Sequence, residues 1–412
     1  MKYLSSLKNK NLSDKICLLR VDFNIQNTDL HACPPKPWRR RGYEHGLTRI
    51  PPFRISAILP TIQFLLNRKA KVVILSHRGR PVKVQSSKLK VKSLSLKPFA
   101  KILSNLLNKP VNFIDFENGF NAPKIHKTIT ASRDKIFLLE NLRFLPGEEK
   151  NDVKFAKKLA SLGNFYVNDA FSVSHRKNAS IVAITKFLPS YPGFCLEKEI
   201  KNLSKAIKNP KKPLIIILGG AKISDKIGVI KNFMKGPTRL RKSSGEASKF
   251  LIGGAVANTF FSAKKLDIGN SVYEKNMIPL AQQLLKSPPS TRKIILPIDW
   301  LTEKGKILDI GPKTSNLYAE IIKNAKTIIW NGPMGYFENP KFIKGTEAII
   351  EAVIKSRAFS IVGGGETTAE VQSSKLKVKS LKHIFLSTGG GAMLEYLSGK
   401  KLPGIEALKI SA

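Results

Sequence analysis

Leu214-Ile215-Ile216-Ile217-Leu218-Gly219-Gly220-Ala221-Lys222 is the stretch that decides the fold. An unbroken apolar run of this length reads as a strand covered on both faces, the mark of a parallel sheet between helix layers. It stops at two glycines, and Lys222 and Lys226 follow four apart, on one face should a helix begin there. In open α/β sheets ligands sit at the carboxyl ends of strands. Glycine turns opening helices offer backbone N–H groups that suit phosphate. A lysine pair aimed at phosphates is the functional reading of the turn; a lysine-rich surface loop is the plain one.

The same alternation runs outward in both directions. Ile16–Val21, Val72–Leu75, Ile136–Leu139, Phe165–Val167, Lys249–Ile252, Ile294–Pro297, Thr327–Trp330, Ser360–Val362 and Ile384–Ser387 read as further strands. Between them lie segments of helical spacing, such as Ile58–Leu66, Asp152–Leu162 and Thr346–Ile354. Alternating β and α predicts an α/β protein of doubly wound parallel sheets. The number of strands exceeds one comfortable sheet, so two Rossmann-like lobes are expected, joined by a hinge helix. The expected division is residues 1–192, residues 193–390 and a tail, 391–412, with the connector at Cys195–Ile207 after the turn Tyr191-Pro192-Gly193.

Composition bounds the class. The chain has 412 residues, enough for two cores, and 42% of them are apolar. No apolar run approaches the roughly 20 residues needed to cross a bilayer. Met1-Lys2-Tyr3-Leu4-Ser5-Ser6 lacks the apolar core of a signal peptide. Cys17, Cys33 and Cys195 form neither a disulfide framework nor a metal-ligand spacing. A cytoplasmic protein is expected. Lys plus Arg number 71 against 29 Asp plus Glu, a net charge of +42. The lysines are scattered and no aromatics are interleaved as stacking platforms, which favours a solvated basic surface over a specific nucleic-acid interface. Weak, salt-sensitive attraction to polyanions is expected either way.

Two stretches stand outside the alternation. Val84–Leu94 recurs letter for letter as Val371–Leu381. A pair so far apart is no solenoid; a repetitive coding element tolerated in surface loops explains it better than a paired basic docking motif. His31–Arg49, crowded with proline and arginine, reads as an irregular exposed insertion.

Two sets of anion-suited residues occur, one in each half. The first half carries Arg54, the run Ser76-His77-Arg78-Gly79-Arg80-Pro81, Arg143 within Glu140-Asn141-Leu142-Arg143-Phe144, and Arg176 after His175. Arginine forks suit a small, highly charged anion. Asp22 and Asn24, two apart at the end of the first strand, can point to one side and bind hydroxyl or amide groups. The second half carries glycine turns: Gly219-Gly220, Gly253-Gly254, Asn331-Gly332-Pro333, Gly363-Gly364-Gly365-Glu366-Thr367 and Gly389-Gly390-Gly391. No G-x-x-x-x-G-K-S/T loop and no G-x-G-x-x-G is present, so neither a P-loop enzyme nor a typical dinucleotide binder is supported. Val362–Thr368 instead runs from strand to helix, with Thr367 expected near the N-cap and Glu366 near any metal. Two phosphate sets on two lobes suggest transfer of a phosphoryl group between them.

Six motifs then fall in order: Arg-Val-Asp-Phe-Asn (20–24), Ser-His-x-Gly-Arg-Pro (76–81), Glu-Asn-Leu-Arg-Phe (140–144), Gly-Gly-Ala-Lys-x-Ser-Asp-Lys (219–226), Trp-Asn-Gly-Pro-x-Gly-x-Phe-Glu (330–338) and Ser-Thr-Gly-Gly-Gly-Ala (387–392). On these the chain resembles the phosphoglycerate kinases nearly end to end. The resemblance implies reversible phosphoryl transfer from 1,3-bisphosphoglycerate to ADP with Mg²⁺, giving 3-phosphoglycerate and ATP, in a monomer whose lobes close by hinge bending. It implies phosphoglycerate contacts from Asp22, Phe23, Asn24, Arg54, His77, Arg78, Gly79, Arg80, Arg143 and Arg176. Nucleotide contacts would come from Lys226, Asn331, Glu338, Gly363, Gly364, Gly365, Glu366 and Thr367. Glu338 would hold the ribose and Glu366 would help hold magnesium. Arg54, Lys222 and Gly365 would serve the transfer itself, and the tail would pack back on the first lobe. Glu366 stands where aspartate is common, Arg78 where an apolar residue is usual, and the chain between Trp300 and Asp309 is short, which suggests a trimmed loop. The alternatives are a kinase-like scaffold recruited to nucleic acid by its charge and another two-lobed nucleotide enzyme; the intact site residues argue against the first and the ordered motifs against the second.

Overall fold

The computed structural model describes residues 1–25, 53–79, 81, 93–117, 119–235, 248–286, 294–373 and 382–411. Arg80, the insertion His31–Arg49 and most of both copies of the repeated segment lie outside the described residues. The chain divides into two compact units, Met1–Lys198 with Lys401–Ala412, and Glu199–Lys400.

The first unit is built on six parallel strands: β1 (Ile16–Arg20), β2 (Lys71–Leu75), β3 (Asn112–Ile114), β4 (Ile136–Leu139), β5 (Phe165–Asn168) and β6 (Ser190–Pro192). They lie in the order β3-β4-β2-β1-β5-β6. β1 is paired on both sides, Cys17 with Val72 of β2 and with Phe165 of β5, and all five of its residues are buried. That two-sided burial is why it reads as a run and not as an alternation. Helices Phe53–Asn67 and Lys97–Leu107 cover one face, where Ile55, Ile62, Phe99 and Leu103 pack with Leu19 and Ile74. Each such buried side chain contributes about 1.5–3 kcal/mol. The sheet grows from β1 toward β2 and then resumes at β5 on the other side of β1, so the switch point lies beside β1.

The second unit repeats the plan. β7 (Leu214–Leu218), β8 (Lys249–Ile252) and β9 (Ile294–Ile295) precede a hairpin of β10 (Trp300–Glu303) and β11 (Lys306–Ile310); β12 (Thr327–Asn331), β13 (Phe359–Gly363) and β14 (Ile384–Leu386) follow. The parallel order is β14-β13-β12-β7-β8-β9, with β7 buried throughout and switching between β8 and β12. The segment expected to be a trimmed loop between Trp300 and Asp309 is instead the antiparallel hairpin β10–β11. Its turn residues Lys304 and Gly305 both have positive φ (52° and 70°), as a two-residue hairpin turn requires.

Helix Phe194–Lys208 contains the boundary between the units. Its first turn is tied down within the first unit: Phe194 N donates to Thr61 Oγ1 (3.0 Å) and Leu196 N to Asp169 Oδ1 (3.0 Å). Burial pushes the Asp169 carboxyl up to about 7, against hydrogen bonds from Thr61, Leu196 and Cys195. Further along, within the second unit, buried Glu199 accepts from Thr388 N (2.6 Å) and Thr388 Oγ1 (2.8 Å), which orients the turn ahead of helix Gly390–Leu397. The last helix, Pro403–Ile410, belongs to the first unit, where Gly404 N donates to Ser174 O (2.8 Å).

Candidate active site

In the first unit the residues that follow β1, β2, β4 and β5 meet at the switch point. Asp22 lies at its centre, 7% exposed. Its carboxylate accepts from Arg54 Nη1 (3.0 Å), Ser172 Oγ and Asn24 N (2.8 Å), and Nδ1 of His77 is 3.6 Å away. Burial alone would raise this carboxyl; Arg54, with the Ser172 and Asn24 bonds, outweighs burial and holds it well below the usual carboxylate range. Asp22 is thus the anion that holds a cationic wall in place. Arg54 also donates to Asn24 O (3.0 Å), and Asn24 Oδ1 takes Gly79 N (2.9 Å). The side chains two apart after β1 therefore organise the neighbouring loops, Asp22 through Arg54 and Asn24 through the glycine turn after β2.

Behind Asp22 stands Arg20, a residue that a strand-end reading passes over. It is 2% exposed and its Nε donates to Ser180 Oγ (2.8 Å). Its Nη1 bonds Val21 O, and Nη2 lies 3.1 Å from Nδ1 of His77. A guanidinium only donates, so Nδ1 of His77 is the bare nitrogen and the ring proton sits on Nε2. Burial, then Arg20, Arg143 and Arg176, drive the His77 pKa well down against the pull of Asp22. His77 is therefore a neutral donor. Fully buried Glu148, 3.9 Å from Arg20, balances this charge and is itself held by Ser180 N (3.0 Å) and Oγ (2.6 Å).

Arg143 Nη1 donates to Gly79 O (2.6 Å), bringing the β4 loop onto the β2 loop, and Nε is 3.4 Å from Glu149. Asn141 caps that turn through Arg143 N (3.1 Å) and reaches Arg78 O (2.7 Å). The Arg176 Nε is buried with no hydrogen-bond partner among the described residues. Arg78, expected with the anion-facing residues, makes packing contacts. It is 5% exposed, its Nε meets Ile25 O (3.3 Å), and its guanidinium lies 5.5 Å over Phe99, which stacks on Phe23 at 4.8 Å. These contacts, and the stacking of the Phe23 ring, lie in the packing around Phe99.

In the second unit four glycine turns converge. Gly219 N donates to Asn331 O (3.0 Å), Gly220 N to Pro333 O (2.8 Å) and Gly254 N to Met334 O (2.8 Å). Gly332 has φ +91°, and a Cβ there would stand 2.3 Å from Gly219 O, so only glycine lets the two turns close on each other. Asn331 Nδ2 reaches Gly363 O (3.0 Å), which joins the fourth turn. Thr367, expected near the N-cap, is the third residue of helix Gly365–Ser373, and its hydroxyl accepts from Gly332 N (3.1 Å). Lys222 and Lys226 precede helix Ile227–Lys235 in an irregular turn, so a shared helical face does not relate them. Lys222 is exposed; Lys226 is 6% exposed and donates to Lys222 O (3.2 Å). Burial lowers the Lys226 pKa, opposed by Asp225, Glu274 and Glu366.

These turns wall a cavity of about 260 Å³ with Phe261, Trp300, Tyr336 and Glu338. The hairpin β10–β11 supplies Trp300 and Leu308 to it, so the segment read as a loop builds part of the wall. Asp309, also lining it, is pushed up to about 6 by burial and accepts from Gly345 N (2.8 Å) and Ile310 N (2.9 Å). Burial and neighbouring Glu338 raise the Glu366 carboxyl, with Lys226 opposing. A largely apolar slot edged by the glycine backbone, Lys306 and the carboxylates Asp309, Glu338 and Glu366 can take a flat base, with the lysines of the Gly219–Lys226 turn nearby in sequence for phosphates.

Comparison with known proteins agrees with this geometry. The family model for phosphoglycerate kinase matches residues 50–400. Phosphoglycerate kinases of Herpetosiphon aurantiacus and Finegoldia magna are each 40% identical to the chain, over 96% and 98% of both partners respectively. The crystal structure of phosphoglycerate kinase from Pyrococcus horikoshii superposes with a TM-score of 0.79 at 31% identity, covering 100% of this chain and 99% of that one. The Coxiella burnetii enzyme gives 0.72 at 34% identity over 98% of each. With two parallel six-stranded sheets, a ligand-suited switch point in each, and this likeness along nearly its whole length, the chain belongs to the phosphoglycerate kinase family.

Proposed function

We propose that the chain moves a phosphoryl group reversibly between 1,3-bisphosphoglycerate and ADP, forming 3-phosphoglycerate and ATP, and that each unit holds one reactant. The observation that carries this reading is the presence of two unlike anion sites, arginine-built at one switch point and glycine-built at the other. In this reading Arg54, His77, Arg80, Arg143 and Arg176 grip the phosphoglycerate, with Asp22 and Asn24 holding the loops that present them. Lys226, Asn331, Glu338, Gly363, Gly364, Gly365, Glu366 and Thr367 serve the nucleotide.

An acyl phosphate is already activated and the attacking phosphate oxygen of ADP is already an anion. No proton has to be removed, so catalysis reduces to positioning, exclusion of water and neutralisation of the moving PO₃. Lys222, Arg54 and the Gly365 N–H are the donors assigned to that charge. Lobe closure is the proposed step that brings the reactants together.

Among the described residues no group of three or more His, Cys, Asp or Glu side chains is arranged to hold a metal. Magnesium does not need one, since one carboxylate with substrate phosphates and water suffices. Glu366, with its carboxyl raised by burial and Glu338, fits that part. When bound, the ion supplies positive charge to the nucleotide phosphates. Both reactants are small molecules, and a cytoplasmic monomer is the proposed working form. Among the described residues no helix is long and apolar enough to cross a membrane.

A coupled assay with ATP, 3-phosphoglycerate and Mg²⁺ tests the reading. Turnover is expected on the order of 1–10³ s⁻¹, and a chelator is expected to stop it. Absence of 3-phosphoglycerate-dependent ATP consumption would refute it.

A further inference from the structure

We infer that Glu274 is a positioning residue for the phosphate-facing loop, fixing where Lys222 and Lys226 stand although it belongs to a distant part of the chain. The inference rests on the reading above that these lysines face the nucleotide phosphates.

The loop Gly219–Lys226 is held at its start by the glycine contacts and at its end by a turn, with Lys226 N donating to Ile223 O (2.8 Å) and Lys226 Nζ to Lys222 O (3.2 Å). Its middle is gripped from outside. Glu274 accepts from Ser224 Oγ through Oε1 (2.7 Å) and from Ser224 N through Oε2 (2.9 Å), so both carboxylate oxygens are engaged by one residue of the loop. Two-point attachment by an ionised acceptor fixes orientation as well as distance.

Glu274 is itself anchored. Its N–H donates to Thr259 Oγ1 (3.1 Å), and Asn258 Nδ2 holds Val272 O (3.0 Å). Thr259 and Asn258 are buried residues of helix Gly254–Ala263, the helix whose first turn walls the same cavity. A continuous path therefore runs from the cavity wall through Asn258 and Thr259 to Glu274, and from there to Ser224 and the lysines. The charges agree with it. Burial alone would raise the Glu274 carboxyl, but the Ser224 bonds, the neighbouring Ile223 N–H and the nearby Lys222 bring it below its ordinary value. Glu274 in turn supports the charge of buried Lys226. It gives the loop a carboxylate counter-charge that keeps two lysines together before any phosphate arrives.

The test is a set of variants, Glu274→Ala, Glu274→Gln, Ser224→Ala and the Ser224→Ala/Glu274→Ala double, measured for kcat, both KM values and ADP affinity by calorimetry. For Glu274→Ala, kcat is expected to fall roughly 10- to 100-fold, since ångström-scale misplacement of a transfer group can cost about 10²-fold. ADP binding weakens while the KM for 3-phosphoglycerate holds, a split that a general loss of fold would not produce. Glu274→Gln recovers part of the loss, because its amide oxygen still accepts from Ser224 N. The double variant is no worse than the poorer single one, as expected of two groups acting as one contact. Wild-type kcat and ADP affinity in Glu274→Ala, or additive losses in the double variant, would overturn the inference while leaving the kinase reading intact. A wild-type protein that binds no ADP would overturn both.

Discussion

Lys222→Ala is expected to lower kcat by roughly 10²–10³-fold, the scale of losing one donor aimed at developing transition-state charge. The reason is positional. Lys222 follows β7 directly after the Gly219-Gly220 turn, at the carboxyl end of a strand all of whose residues are buried. Its own side chain is exposed, so truncation removes a charge without opening a cavity. The loop that carries it stays fixed by the Ser224–Glu274 bonds and by the glycine turns. The transferring PO₃ spreads its charge over three equatorial oxygens, and an ammonium there matters more to the transition state than to bound ATP. The loss should therefore fall on kcat, with the KM for ATP changed little. Steady-state kinetics of the purified variant decide it, and a near-wild-type kcat would remove Lys222 from the transfer.

Arg20→Met is the substitution expected to cost the most stability, about 3–5 kcal/mol, the range for breaking a buried pair by removing one partner. Arg20 and Glu148 are 2% and 0% exposed at the side chain. Glu148 keeps its bonds from Ser180 after the change but loses the only opposite charge paired with it among the described residues. His77 Nδ1 loses the donor that faces it, and Ser180 Oγ loses one of its partners. Chemical denaturation with a linear extrapolation measures the loss. The double variant Arg20→Met/Glu148→Gln should recover a large part of it, because removing both charges avoids stranding one. A single variant within about 1 kcal/mol of wild type would mean that Glu148 is not held as a buried charge.

Much of the architecture can be read from the chain because β1, β2, β4, β7 and β8 lie inside their sheets and announce themselves as apolar runs. β3 and β6 escape for a physical reason. Each is a three-residue edge strand, and β3 is only half-buried, while β6 ends in Pro192, which cannot donate to a ladder and so suits an edge. β10 and β11 mix polar and apolar residues, with Trp300 and Leu308 turned to a cavity rather than to the sheet cores, so no run marks them.

The site divides in the same way. Glycine turns and strand-end cations are local in sequence; among the described residues Asp22, Arg54, His77, Gly79 and Arg143 meet in the first unit, and the turns at Gly219, Gly254, Gly332 and Gly363 meet in the second. What the sequence hides is the support beneath them. Arg20 meets Ser180 across 160 positions, Ser172 meets Asp22 across 150, and Ser224 meets Glu274 across 50. No spacing rule links such pairs; only the strand order does. Arg78, inside the motif after β2, likewise reaches residues far away in sequence, Phe99 and Ile25 O. One signal was available, since Arg20 ends an otherwise apolar strand, and a charge in so buried a run calls for a partner.

The central claim is that each unit holds one reactant, and calorimetry on two variants tests it most directly. Arg143→Ala should weaken 3-phosphoglycerate binding by at least about tenfold, the scale of one charge-assisted contact, and leave ADP affinity unchanged. Lys226→Ala should do the reverse. If either variant weakens both ligands alike, or if Lys226→Ala weakens 3-phosphoglycerate while ADP binds as before, the assignment of one reactant to each sheet is contradicted.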